Sequence, residues 1–231
     1  MLVTLMRKID VLDEGYVILQ DVMGTDLTVA NTARVSYNKK SEELTERDER
    51  LISFLAREGH TSPFRHAMLQ FEVKAPLMIA RQWWKYVVGS SWNDPMQAWN
   101  ESSRRYITEE NVYHLPDTFR LAPQNSKQGS GAPVSEEMNA YWLDKLAHHQ
   151  MMGEQMYQDM MKSGICAEQA RLALCSYGLY VTFYWTASLQ GVVHLINQRT
   201  KPDAQREFQD YADAVLTFAR EAFPVSVEEL R

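Results

Sequence analysis

Between Met68 and Lys74 the chain alternates without a break, with Leu69, Phe71 and Val73 on one side and Gln70, Glu72 and Lys74 on the other. A period of two marks a strand with one buried and one polar face. Pro76 follows at once and suits the first position of a helix, after which Leu77, Ala80, Trp84 and Val87 fall on one stripe. A half-buried strand running straight into an amphipathic helix calls for helices layered on a sheet.

The rest of the chain fills in that plan. "VTLMRKIDVLDEGYVILQDVMG" reads as short strands with turns at Asp13-Glu14-Gly15 and Met23-Gly24. "SEELTERDERLISFLAREGH" reads as a helix closed by Gly59, with Leu44, Leu51, Ile52 and Leu55 at helical spacing. The polar stretch from Pro116 to Pro133, with "APQNSKQGSGAP", reads as a mobile loop. Ser135 opens a long helix to about Ser163, closed by Gly164, and its methionines read as core packing. A short helix is expected around "AEQARLAL", a strand in "LYVTFYW" and a helix in "SLQGVVHLINQR". "PDAQREFQDYADAVLTFAREAF" is amphipathic, with Phe208, Tyr211, Ala212, Val215, Ala219 and Ala222 on one face. There is no internal repeat, no separating linker and no regular βαβ alternation. The expected fold is α+β, a single domain over 1–231 with a mixed, largely antiparallel sheet packed with helices.

Composition narrows the function. A net charge of −6 argues against a general nucleic-acid binder, though it leaves room for a local basic pocket. Cys166 and Cys175 match no zinc spacing and read as free core thiols. The N-terminal "MLVTLMRKIDVLDEG" has neither a long apolar run nor a cleavage site, so no membrane segment and a cytoplasmic location are expected. No Gly-rich phosphate loop, dinucleotide fingerprint, H-E-x-x-H or paired C-x-x-C is present. A nucleotide would therefore be held by side chains, and arginine's planar fork suits phosphate.

Three arginine-bearing segments are candidates. "NESSRRY", Asn100 to Tyr106, sets two hydroxyls and two guanidiniums beside an aromatic ring; read alone it is equally a turn with solvated charges. In "EQARLAL", Glu168 and Arg171 are neighbours on a helix, which an ordinary surface ion pair also explains. In "HLINQRTKPDAQ", Arg199 closes a helix, a place where arginine also serves as a partner to the helix dipole. His60 and His66 bracket "TSPFR" with no third ligand at recognisable spacing, so no metal is expected.

Taken in order, "GHTSPFRHAMLQFEVKAPLMIARQWW", "NESSRRY", "EQARLAL" and "NQRTKPDAQREFQDYA" resemble the flavin-dependent thymidylate synthases, and the likeness extends to "KIDVLDEGYVILQDVMG". The resemblance implies a homotetramer that binds FAD and dUMP where subunits meet. It implies transfer of a one-carbon unit from methylenetetrahydrofolate to C5 of dUMP, with reduced flavin giving the hydride and NADPH reducing the flavin. By position, Gln82, Glu101, Ser103, Arg105, Arg171 and Arg199 resemble the dUMP-binding set. Ser103 and Arg105 would meet phosphate, and Arg171 would come from another subunit. Arg199 would be catalytic, stabilising negative charge at N3 as C5 becomes nucleophilic. His60, Ser62, Ser188 and His194 align with flavin contacts, and Glu101 with both ligands.

Departures accompany the likeness. The family's Arg-His-Arg is here Lys85-Tyr86-Val87, a flavin-side position that keeps one charge without the fork. About eight extra residues, in "GSSWNDPMQAW", then precede Asn100, and their Trp92 and Trp99 could stack on a ligand or form a packed lid. Asp203 stands where His is usual, and Ser188 where Asn is usual. Two alternatives stay open: hydroxymethylation or similar chemistry on a related pyrimidine nucleotide, and a non-catalytic nucleotide-binding homologue.

Overall fold

The structure is a computed structural model that describes residues 7–89, 96–103, 110–124 and 128–231. Five strands, β1 (Lys8–Val11), β2 (Gly15–Met23), β3 (Met68–Pro76), β4 (Ala98–Glu101) and β5 (Tyr180–Ser188), form one antiparallel sheet in the order β1-β2-β3-β5-β4. The alternating segment is the central strand. Leu69, Phe71 and Val73 are fully buried, and β3 pairs with β2 at Val17↔Val73 and with β5 at Phe71↔Trp185. Pro76 is the last residue of β3 rather than the first of a helix, and sits opposite Tyr180.

Helix α3 (Leu77–Gly89) follows directly, and Trp83 anchors it. The Trp83 ring lies edge-on to Phe183 and Trp185 at 5.4 and 5.3 Å and stacks on Phe208 at 5.4 Å. Phe208 belongs to α7 (Arg206–Ala222), whose predicted apolar face is buried as expected. Tyr211 of the same helix donates to Lys74 O at 2.7 Å. A Cβ on Gly15 would fall 1.9 Å from that hydroxyl, so the start of β2 admits only glycine without rearrangement.

Two short carboxylates tie the first two helices and the last one together. Helix α1 (Asp26–Arg34) was not expected from the sequence, because its polar residues obscure a stripe of only Val29 and Ala30. Asp26 accepts from Val225 N and Ser226 N, satisfying the free N–H groups that open α8 (Pro224–Leu230). Helix α2 (Glu46–Arg57) is shorter than its predicted span, and Leu44 lies exposed outside it. Its buried Asp48 accepts from Thr45, Arg34 and Ser41.

Helix α4 (Glu136–Lys162) is capped by Ser135, as expected. Of its methionines Met160 packs as expected, against Tyr157 and its neighbours, but Met138, Met151, Met152 and Met156 are exposed, because α4 lies outside the sheet and meets mainly α5 (Ala167–Ala170) and the turn after it. Helix α6 (Leu189–Arg199) follows β5. The segment expected to be a mobile loop is pinned in its described parts. Leu121 and Ala132 are hydrogen-bonded, Val134 N donates to Phe119 O, and Arg120 pairs with Glu207. Among the described residues no helix is long and apolar enough to cross a membrane, and no three metal-ligating side chains gather at one point.

Burial pushes the Asp48 carboxyl up, but donors from Thr45, Arg34 and Ser41 outweigh it and bring its pKa down to about 2. A depressed pKa gives stability that is present above the unfolded value near 4 and lost as pH falls toward 2, worth about 2 kcal/mol. Asp48→Asn is expected to lower the urea-unfolding free energy by about 3 kcal/mol at pH 7. The difference from wild type should shrink steadily between pH 4 and pH 2. A difference independent of pH would show that the ionised carboxylate is not the stabilising species.

Candidate functional site

Where α3, the end of α6 and the start of α7 converge, a cavity of about 520 Å³ opens. Gln82, Lys85 and Tyr86 come from α3; Gln198 and Arg199 from the last turn of α6; Lys201, Asp203 and Gln205 from the turn that follows. With Trp83 fixed in the core, the helical period turns Gln82, Lys85 and Tyr86 toward this side. The pinned segment before α4 adds Gln128 and Gly129, the latter against the backbone of Asp203.

Arg199 is the centre of this cavity. Its guanidinium carbon lies 5.0 Å from the Tyr86 ring centroid and 4.8 Å from that of Phe208. The Tyr86 hydroxyl hydrogen-bonds to it, while its buried Nε has no partner among the described residues. Aromatic faces thus hold a permanent cation while leaving donor capacity for a ligand. Burial raises the Tyr86 pKa against the pull of Arg199, so the phenol stays neutral. The His194 ring is 5.8 Å from that of Tyr86. Burial, and then the charge of Lys201, lower its pKa, which favours a neutral imidazole.

A second cavity of about 450 Å³ gathers Glu101, Ser102 and Ser103 from the end of β4 with Arg171, Leu77 and Val181. Ser102 is held to the sheet by its N–H to Thr182 O at 2.8 Å. Burial raises the Glu101 pKa, partly offset by the Trp99 indole and the charge of Arg81. Arg171, expected from another subunit, here lines the cavity beside Glu101 within one chain. Arg105 and Trp92 lie outside the described residues.

The expected flavin positions are scattered. Ser188 is fully buried and caps α6 by accepting from Gly191 N. His60 and Ser62 lie on an exposed turn between α2 and β3 and line neither cavity. Val87 packs against the core. Trp99 is packed rather than open to a ligand, its ring stacked 3.9 Å from that of Phe183. Gln205, Gln128 and Lys201 escaped the sequence reading. "KPDAQ" was a visible signal, being polar residues immediately after the arginine, but only Asp203 drew notice there.

A family model described as thymidylate synthase complementing protein matches residues 18–225. A flavin-dependent thymidylate synthase of Thermotoga neapolitana is 36% identical over 221 residues, covering 96% of this chain and 93% of the relative. One from Thermus thermophilus is 36% identical over 219 residues, covering 94% of this chain and 76% of the relative. Crystal structures of the UMP/dUMP methylase PolB from Streptomyces cacaoi, bound with 5-Br dUMP or 5-Br UMP, superpose with TM-scores of 0.80 and 0.79 at 27% identity, covering 96% of both chains. The chain belongs to the family of thymidylate synthase complementing proteins, and its α+β fold is that of the PolB structures.

The Tyr86–Arg199 contact can be measured without a ligand. In a double-mutant cycle of Tyr86→Leu and Arg199→Met, urea unfolding should give a coupling of about 1 kcal/mol. A coupling indistinguishable from zero would mean that the ring does not stabilise the cation.

Proposed function

We propose that the chain is an enzyme that methylates C5 of the pyrimidine ring of dUMP to give dTMP. The observation that carries this reading is Arg199, a cation held between Tyr86 and Phe208 at the wall of a polar cavity. Negative charge at the imide edge makes C5 electron-rich enough to attack an electrophilic carbon. A fixed guanidinium at that edge stabilises the charge without itself changing protonation. Gln82 completes the base end of the site. Glu101, Ser103 and Arg171 form the phosphate end.

No enzyme nucleophile is required. Neither Cys166 nor Cys175 lines the Arg199 cavity, and burial raises the Cys175 pKa, which disfavours a thiolate.

Lys85, Tyr86 and His194 suit a flavin, since an exposed cation stands beside two rings tilted at 58° to each other. A bound flavin supplies the hydride that reduces the transferred carbon to a methyl group. The finer reading takes FAD as that flavin, methylenetetrahydrofolate as the one-carbon donor and NADPH as the reductant.

It also takes a homotetramer with the nucleotide where copies meet. Supporting this are the exposed apolar residues of α4, among them Tyr141, Trp142 and Met156, and the fact that the two cavities are separate within one chain. Light scattering of the purified protein should give four times the chain mass; a monomer would overturn the shared site.

Incubation with C5-tritiated dUMP, methylenetetrahydrofolate, FAD and NADPH should release tritium and yield dTMP. Release with a hydroxymethyl product would redirect the reading to hydroxymethylation, and no release would sink it. UMP belongs in the same assay, because the PolB structures hold analogues of both nucleotides. Arg199→Ala is expected to abolish turnover with its melting temperature little changed. Near-normal turnover would remove Arg199 from the chemistry.

A further inference from the structure

The wall of the Arg199 cavity is made in part by a row of polar side chains with a fixed direction. Gln82 Nε2 donates to Gln205 Oε1 at 2.5 Å and to Met78 O at 3.3 Å. Gln205 Nε2 donates to Glu207 Oε2 at 3.0 Å and faces Met78 Sδ at 3.5 Å. The other carboxylate oxygen of Glu207 accepts from Arg120. Every amide hydrogen of both glutamines therefore has a protein acceptor.

The oxygen and nitrogen of an amide are nearly alike in shape, but a neighbouring carboxylate tells them apart. An ionised Glu207 can only accept, so Gln205 must turn its NH2 toward it. Gln205 then offers Oε1 to Gln82, which must answer with its own NH2. Reversing Gln82 would set two acceptors against each other at 2.5 Å and a second pair at 3.3 Å. Reversing Gln205 as well would set its oxygen against the carboxylate. Glu207 sits in the first turn of α7, where the helix N-terminus favours negative charge. Burial raises its pKa, but its backbone, Gln205 and Arg120 more than reverse this.

Gln82 Oε1 is left over. It has no partner among the described residues, and it is not sealed away from solvent, so it is open to the cavity that Gln82 lines.

We propose that Glu207 and Gln205 are positioning residues that lock the Gln82 carboxamide with its oxygen toward the ligand, so that this wall selects a ligand hydrogen-bond donor. Where the ligand is dUMP, an identity that rests on the function proposed above, only the imide N3–H and the 3′-hydroxyl can supply that donor. An anionic oxygen is disfavoured only against this one carboxamide oxygen, since Lys85, Arg199 and Lys201 make the rest of the cavity cationic.

Two arms test this. In the ligand-free protein, 1H–15N spectra of glutamine side chains, with the Gln82 pair assigned by its loss in Gln82→Met, should show slowly exchanging, well-dispersed protons. In Glu207→Gln and Gln205→Met the pair should move toward its solvent-exposed position. An unmoved pair in both variants overturns the relay.

In the second arm, calorimetry compares dUMP with 3-methyl-dUMP and with the 2′,3′-dideoxy nucleotide. Wild type should bind one analogue at least about tenfold more weakly than dUMP, and both variants should cut that ratio to about threefold or less. The analogue affected identifies the donor. A merely structural loss would weaken all three nucleotides alike and leave the ratio intact, which overturns the proposal, as does a wild type indifferent to both changes. Should wild type not bind dUMP, the function reading falls, and the amide spectrum alone decides the relay.

Discussion

The burial of Trp83 sets the geometry on which the site depends. An indole enclosed by Phe183, Trp185 and Phe208 cannot rotate without opening a large void, at a cost of several kcal/mol. That constraint fixes the rotation of α3 about its own axis. Gln82, one residue before, and Tyr86, three after, are then brought to the cavity by helical geometry, and their own contacts orient the side-chain tips. Phe208 carries the constraint onward, because the ring that stacks on Trp83 also lies under the Arg199 guanidinium. The cation to which catalysis is assigned in the proposed function is thereby placed by the same packing that joins sheet to helices.

Polar groups complete what the core leaves loose. Asp26 and Asp48 each gather several donors and tie α1 to α8 and to the α2 entry, where there is too little apolar area to do the work. Glu207 plays a comparable part next to the cavity. It joins Arg120, on the segment before α4, to Gln205 at the head of α7. One carboxylate thus holds a loop in place and sets the direction of two amides, a consequence of its being able only to accept.

The sequence revealed those elements whose pattern reports a buried face. Leu69, Phe71 and Val73 announced β3, and Phe208, Tyr211 and Val215 announced α7, because alternation and helical spacing record which side meets the core. Strand β4 was hidden, since four residues at a sheet edge bury almost nothing and "AWNE" carries no period. Helix α1 was hidden for a related reason: its contacts are made by Asp26 and Asn31 rather than by an apolar stripe. Within the site, Arg199, Gln82, Lys85 and Tyr86 were named in advance and share one cavity, and Glu101, Ser103 and Arg171 share another. Gln205, Glu207 and Arg120 were not legible as site residues. Their part depends on hydrogen bonds between segments more than eighty residues apart, which no local spacing encodes.

The replaced triplet takes on a physical meaning in this setting. Val87 packs against the apolar core, a place where an arginine would have to shed its hydration or bend outward. Tyr86, in the usual place of a histidine, contributes a neutral ring to Arg199 and a hydroxyl that hydrogen-bonds to it. A cationic side chain at the same position would face Arg199 with like charge at close range. Exchanging two cations for a ring and a methyl-bearing side chain therefore concentrates the positive charge of this wall on Arg199, Lys85 and Lys201. The substitution lowers the charge of the site and leaves Arg199 in it, which is compatible with the proposed chemistry, where one fixed cation lies at the edge of a pyrimidine.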